Sequence, residues 1–242
     1  MSGKIYNIIS LVPQNGAKYV AMNLGYFTKK RKKGKILLVD MDFENPTLGY
    51  SYTQDSPYSI DNLMPIKDDL KKANLINNIT QTKLGVDILK GSFMYSGNYI
   101  PPELTATILN LAKEEYDYIF VVTQSNLENA NNVIALLNND KVILVLRNNY
   151  SNALKITRFL ENIKRFLKTE QAVNIIMNYV SYNNVLNISE TIKNIGNANV
   201  NYLGILYYDT KSTDNKNLGE KNSFKRHSIN DKTFKYICKK IL

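Results

Sequence analysis

The chain carries a single cysteine, Cys238, in 242 residues. One thiol excludes an internal disulfide framework and fits a reducing compartment. Histidine is as scarce: His227 is the only one and stands in a polar stretch. With no histidine near Cys238 in sequence, neither a thiol nucleophile nor a metal cluster has the residues it needs. Acidic side chains are outnumbered, 21 Asp and Glu against 31 Lys and Arg, for a net charge of +10. That balance invites an acidic partner, whether nucleic acid, anionic lipid or protein. A Lys-, Asn-, Ile- and Tyr-rich composition is equally what an AT-rich genome produces. Long apolar runs are missing too; none approaches the ~18 residues of a membrane span. The opening MSGKIYNIISLVPQ is too short in apolar length for a signal peptide, so a cytoplasmic location is expected.

What is present is enough apolar sequence for a core, 44%, arranged in a regular alternation. Ile5–Val12 form a nearly continuous apolar run, the pattern of a strand buried on both faces. Ala17, Val20, Ala21, Leu24 and Phe27 then recur at helical spacing. That helix is expected to stop near Gly34, with KKRKKGK cations favourably placed against its dipole. Strands are expected at 35–42, 84–91, 116–122, 141–147, 172–180 and 201–209. Helices are expected at 101–115, 126–139, 151–168, 188–196 and 231–242. Residues 43–83 and 210–228 read as irregular. This order implies βαβ units and a three-layer αβα sandwich around a mainly parallel, doubly wound sheet of the P-loop NTPase type. No composition shift marks a boundary, so residues 1–242 read as one domain.

Ligands of an open parallel sheet bind beyond the carboxyl ends of its strands. Here those ends carry Val12–Lys18, Asp40–Asp42, Thr123–Ser125, Arg147–Tyr150 and Asn178. The blocks LVPQNGAKYVAMNLG, KILLVDMDFENPTLG, PYSIDNLM, GVDILKG, YDYIFVVT and NIIMNYV, in this order, resemble the MinD/ParA group of deviant Walker A ATPases from Ile5 to the end of the chain. GVDILKG and PYSIDNLM lean towards the CpaE/TadZ branch, which helps localise pilus-assembly machinery.

The resemblance implies a phosphate loop close to KGGVGKT, with glycines for backbone approach, a lysine on the phosphates and a Thr hydroxyl on magnesium. Anchored on Asn23-Leu24, Gly16 matches the last glycine, Ala17 the phosphate lysine and Lys18 the Thr. Val12 falls on the signature lysine; Pro13 and Gln14 fall on the earlier glycines. A one-residue slip makes Lys18 the phosphate lysine and puts Tyr19, too long and bulky, on the Thr. Either register loses the metal ligand. Val122 stands where the family has its Walker B aspartate, followed by Thr123-Gln124. Losing one preorganised electrostatic group costs about 10²–10³ in rate, so efficient hydrolysis is not expected. Gly16, Ala17, Lys18, Tyr19, Asp40, Asp42 and Asn178 remain the candidate nucleotide pocket, holding either no cofactor or ATP/ADP without magnesium-dependent turnover. Asp40 or Asp42 can instead cap the following turn, and Asn178 can be structural.

A homodimer and a protein partner are the expected contacts, with non-specific DNA as an alternative. Lys29, Lys30, Arg31, Lys32 and Lys33 form one candidate anionic-contact surface; Lys155, Arg158 and Arg165 form another. The final segment FKYICKKIL is amphipathic. It is expected to pack on the sheet, and membrane contact through it would be peripheral at most.

Overall fold

In the computed structural model the described residues are 2–53, 55–181, 199–209 and 228–242. Eight strands form one sheet: β1 (Lys4–Ser10), β2 (Ile36–Asp40), β3 (Thr80–Gln81), β4 (Asp87–Leu89), β5 (Tyr118–Thr123), β6 (Lys141–Arg147), β7 (Val173–Val180) and β8 (Val200–Tyr207). Their spatial order is β3-β4-β2-β5-β1-β6-β7-β8. Only the short β3 runs antiparallel, against β4. The helices are α1 (Ala17–Arg31), α2 (Tyr50–Thr53), α3 (Lys72–Asn77), α4 (Pro102–Glu115), α5 (Ala130–Leu137), α6 (Tyr150–Ile163) and α7 (Asp231–Ile241).

The apolar runs are continuous because both faces of the sheet are covered. Tyr6 and Ile8 of β1 face a core layer shared with α1 and α7. Ile5 faces the opposite layer with α4, and Ile9 the part of that layer held by α6. This is the expected sandwich.

The boundaries shift for local reasons. Helix α1 stops at Arg31, three residues before Gly34, because Lys32 is already extended at φ −121°. The strand expected at 84–91 is cut to Asp87–Leu89, since Gly85 takes φ +71° and ends the extended chain. Helix α5 begins at Ala130, with the Asn129 side chain accepting from Asn131 N. Helix α6 gives way to a 3₁₀ turn, Lys164–Phe166. Residues 43–83 hold α2, α3 and a 3₁₀ segment, Ile60–Asp69, opened by Ser59. The helix expected at 188–196 lies outside the described residues, as do all but Ser228 of the stretch 210–228, His227 included.

The amphipathic end of the chain packs inward. Phe234, Ile237, Cys238 and Ile241 of α7 are almost fully buried against α1 and the sheet. No helix among the described residues is long and apolar enough to cross a membrane.

Candidate functional site

Strand β1 has β5 on one side and β6 on the other. The chain therefore leaves it in both directions, and a crevice opens beyond the strand ends. A cleft of about 780 Å³ lies there. Gly16, Ala17, Lys18, Tyr19, Asp42 and Asn178 all line it. Asp40, expected with them, does not; it is buried beneath the floor.

The loop between β1 and α1 is held by its own residues. Gly16 precedes the helix at φ +95°, and Gln14 also has positive φ, 64°. Asn15 turns inward, its side chain donating to Asn152 Oδ1 at 2.7 Å. Asn178 Nδ2 donates to the Asn15 carbonyl at 2.8 Å, so its amide braces the loop. Its position leaves no room for a Cβ on Gly16, which would lie 2.2 Å from Asn178 Nδ2. Ser10 Oγ accepts from Ala17 N at 3.3 Å. Helix α1 has no side-chain cap and no acidic residue in its first turn.

Lys18 crosses the cleft floor. Its Nζ donates to Asp42 Oδ2 at 2.5 Å and to the Asn45 carbonyl. The other Asp42 oxygen accepts from Gln124 Nε2 at 2.5 Å. The carboxylate thus ties the first turn of α1 to the loops after β2 and β5. Asp40 caps the turn below: Oδ1 accepts from Asp42 N at 3.1 Å and Oδ2 from Leu48 N at 2.7 Å. Burial pushes the Asp40 carboxyl up to about 7, against the pull of the Lys18 charge and the Leu48 amide.

This donor set does not fit magnesium. Both Asp42 oxygens are engaged, one by the Lys18 ammonium and one by the Gln124 amide. Val122 is apolar and buried in register with Asp40. The Tyr19 phenol points away, towards Asn230 Nδ2 at 3.4 Å and the Phe234 ring at 5.8 Å.

Across the cleft lie Arg147, which the sequence placed at a strand end but not in the pocket, and Tyr179, which it did not single out. The Arg147 guanidinium lies 4.4 Å from the centre of the Tyr179 ring. Its Nη2 donates to the Gln14 carbonyl at 2.8 Å. Among the described residues its Nε is buried without a partner; such an orphaned donor costs about 1–3 kcal/mol. A charged residue ending the apolar run KVILVLR was the available signal. The sequence placed Gln124 at a strand end but not in the pocket and did not single out Asn45; only the fold brings Asn45 to Lys18 and Gln124 to Asp42.

The two basic clusters stay apart. Helix α1 runs back from the cleft, so Lys29–Lys33 lie at the far edge of the sheet. Lys155, Arg158 and Arg165 are exposed on the opposite helical layer.

No protein-family model matches the chain, and no curated protein matches its sequence. Solved structures do. A ParA family ATPase from Chlorobium tepidum TLS superposes at TM-score 0.83 with 17% identity, covering 98% of this chain and 96% of that one. The chain has the MinD/ParA fold. The septum site-determining protein MinD of Pyrococcus horikoshii OT3, complexed with Mg-ADP, matches at TM-score 0.78 and 18% identity, over 99% and 96% of the two chains. MinD in the Aquifex aeolicus MinC:MinD complex matches at 0.79 and 16%, over 99% and 96%. The cleft described above thus lies beyond the strand ends of a MinD/ParA fold.

Proposed function

We propose that this protein is a MinD/ParA-type pseudo-ATPase that acts as a localisation or assembly scaffold. The observation that carries the reading is the Lys18–Asp42–Gln124 bridge, which occupies the floor of the crevice with internal contacts. Catalysis of phosphoryl transfer is mostly positioning and charge stabilisation. Here the apolar Val122 and the engaged Asp42 leave little of either. A scaffold works through its surfaces, by dimerisation or by binding a partner. The MinC:MinD complex offers a parallel for a partner on this fold. The GVDILKG and PYSIDNLM blocks favour a pilus or secretion setting of the CpaE/TadZ kind.

The test is phosphate release with ATP and magnesium, beside light scattering for oligomeric state. Release is expected at least about 10²-fold below an intact relative, the loss typical for one preorganised group. Turnover at a relative's rate overturns the reading and restores the alternative of an ATPase with an atypical loop.

A second reading, a partition-type protein binding DNA without sequence preference, is favoured by the exposed Lys155, Arg158 and Arg165 on α6 and the turn after it. Filter binding across a salt series checks it. Affinity falling steeply with salt supports it, and absence of binding at low salt excludes it.

A further inference from the structure

We propose that this chain associates head to tail with further copies of itself: an acidic, apolar corner beyond the carboxyl ends of β4, β2 and β5 docks on a basic face at the amino ends of the strands. The inference goes beyond the scaffold reading and needs neither a nucleotide nor the loss of hydrolysis.

The corner is built on loop 92–99, which follows β4. Its Phe93, Met94 and Tyr99 are 54%, 75% and 74% exposed. The loop is nonetheless fixed. Asp61 accepts from Ser92 Oγ, from Phe93 N at 2.9 Å and from Met94 N at 3.4 Å. Asn131 Nδ2 donates to the Gly97 and Ile100 carbonyls at 2.8 and 2.9 Å. Exposed apolar groups rimmed by polar ones mark an interaction site, and a loop already held in place loses little freedom on binding.

The charges around the loop have one sign. Phe43 and Asn129 bracket Gly97, whose Cβ would lie 3.4 Å from Phe43 Cδ2 and 2.4 Å from Asn129 Nδ2. Glu44 follows the first and Glu128 precedes the second. Glu103 stands in the first turn of α4, into which the loop leads. All three carboxylates are exposed, and none has an ion pair among the described residues. Lys90, at the start of the loop, is buried and turned onto the Ser56 carbonyl at 2.5 Å. In a chain of net charge +10 this corner is locally reversed.

Its complement lies on the same molecule. Helix α7 runs parallel to α1: Phe234 stacks on Phe27 at 5.9 Å, and Cys238 Sγ lies 3.7 Å from Thr28 Oγ1. Their last turns are therefore side by side, so Lys29–Lys33 and the pair Lys239 and Lys240 make one face. These cations also have no ion pair among the described residues; Glu115, at this end of the sheet, is taken by Lys35 and Lys72. Lys30 and Lys240 lie over the Tyr26 and Tyr236 rings at 4.3 and 4.8 Å. Lysine suits the corner twice over. Its ammonium meets a carboxylate or an aromatic face, and its stem covers apolar surface. Because the two faces differ and stand at opposite ends of the strands, the contact is heterologous. It adds copies in a row and does not make a two-fold dimer.

Sedimentation velocity of the full chain over a concentration series, without nucleotide or magnesium, tests this. Mass is expected to climb past the dimer with concentration. It should fall back towards the monomer in high salt, because the Debye length shrinks from about 10 Å at 0.1 M to about 3 Å at 1 M. Two variants each remove one face: Phe93→Ser with Met94→Ser, and Lys30→Glu with Lys33→Glu and Lys239→Glu. Each alone is expected to stay monomeric. Mixed, they are expected to form a pair and stop, since each retains the face that the other lacks. Circular dichroism checks folding; if the Lys→Glu set does not fold, Lys30→Gln, Lys33→Gln and Lys239→Gln replace it. Four results overturn the proposal: a wild type monomeric at millimolar concentration, a closed dimer, assembly indifferent to salt, or variants that assemble alone or fail to pair. A monomer that instead binds duplex DNA or anionic vesicles through Lys29–Lys33 overturns it in favour of another polyanion. Phosphate release in the same samples reports separately on the pseudo-ATPase reading, whichever way assembly turns out.

Discussion

Gly16→Ala tests how the loop is held. Two costs follow from the coordinates. The backbone stands at φ +95°, in the left-handed region that costs a residue with a Cβ about 1–2 kcal/mol. The new Cβ would fall 2.2 Å from Asn178 Nδ2, so the amide must move and release the Asn15 carbonyl. Leaving that buried acceptor unpaired costs about 1–3 kcal/mol. The two costs together span about 2–5 kcal/mol, with a middle of about 3.5 kcal/mol. Unfolding entropy near 2.1 cal/mol/K per residue over 242 residues gives about 0.5 kcal/mol per degree. The midpoint should therefore fall by about 7 °C. Thermal unfolding followed by circular dichroism measures it. In an Asn178→Ala background the clash is gone and only the backbone strain remains, so the penalty should shrink to about 1–2 kcal/mol. A shift of under about 1 °C, or an equal penalty in both backgrounds, would refute the account of Asn178 as the brace of the loop.

Asp40 should titrate near 7 when followed by carboxyl carbon NMR, because burial disfavours its charged form. Its folded value lies above the ordinary 3.8, so its contribution to stability is full below pH 4 and is lost as pH rises towards 7, by an amount on the order of 4 kcal/mol. Lys18→Met removes a charge that lowers this value, so the midpoint should move further up; a midpoint unmoved or lowered would contradict the geometry. Cys238 is fully buried, and burial pushes its thiol up to about 11. It should resist a thiol reagent at pH 8 in the native protein and react at once in urea; rapid native labelling would show that α7 detaches from α1.

The sheet and its covering helices were legible in the sequence because continuous apolar strands and 3.6-residue helix faces are local patterns. The order of blocks told the fold for the same reason. Helix ends were less legible: Lys32 and Asn129 set them through backbone geometry that composition does not carry. What only the tertiary structure decided was where each polar group spends its bonds. Lys18 meets Asp42, 24 residues away, and Asp42 meets Gln124, 82 away. Asn178 braces Asn15 across 163 residues, and Arg147 reaches Gln14 across 133. Such pairs exist because parallel strands from distant parts of the chain end at one edge of the sheet. The sequence by itself determined which side chains are available there; the sheet order determined that Lys18 meets Asp42 and that Arg147 meets Gln14 and Tyr179.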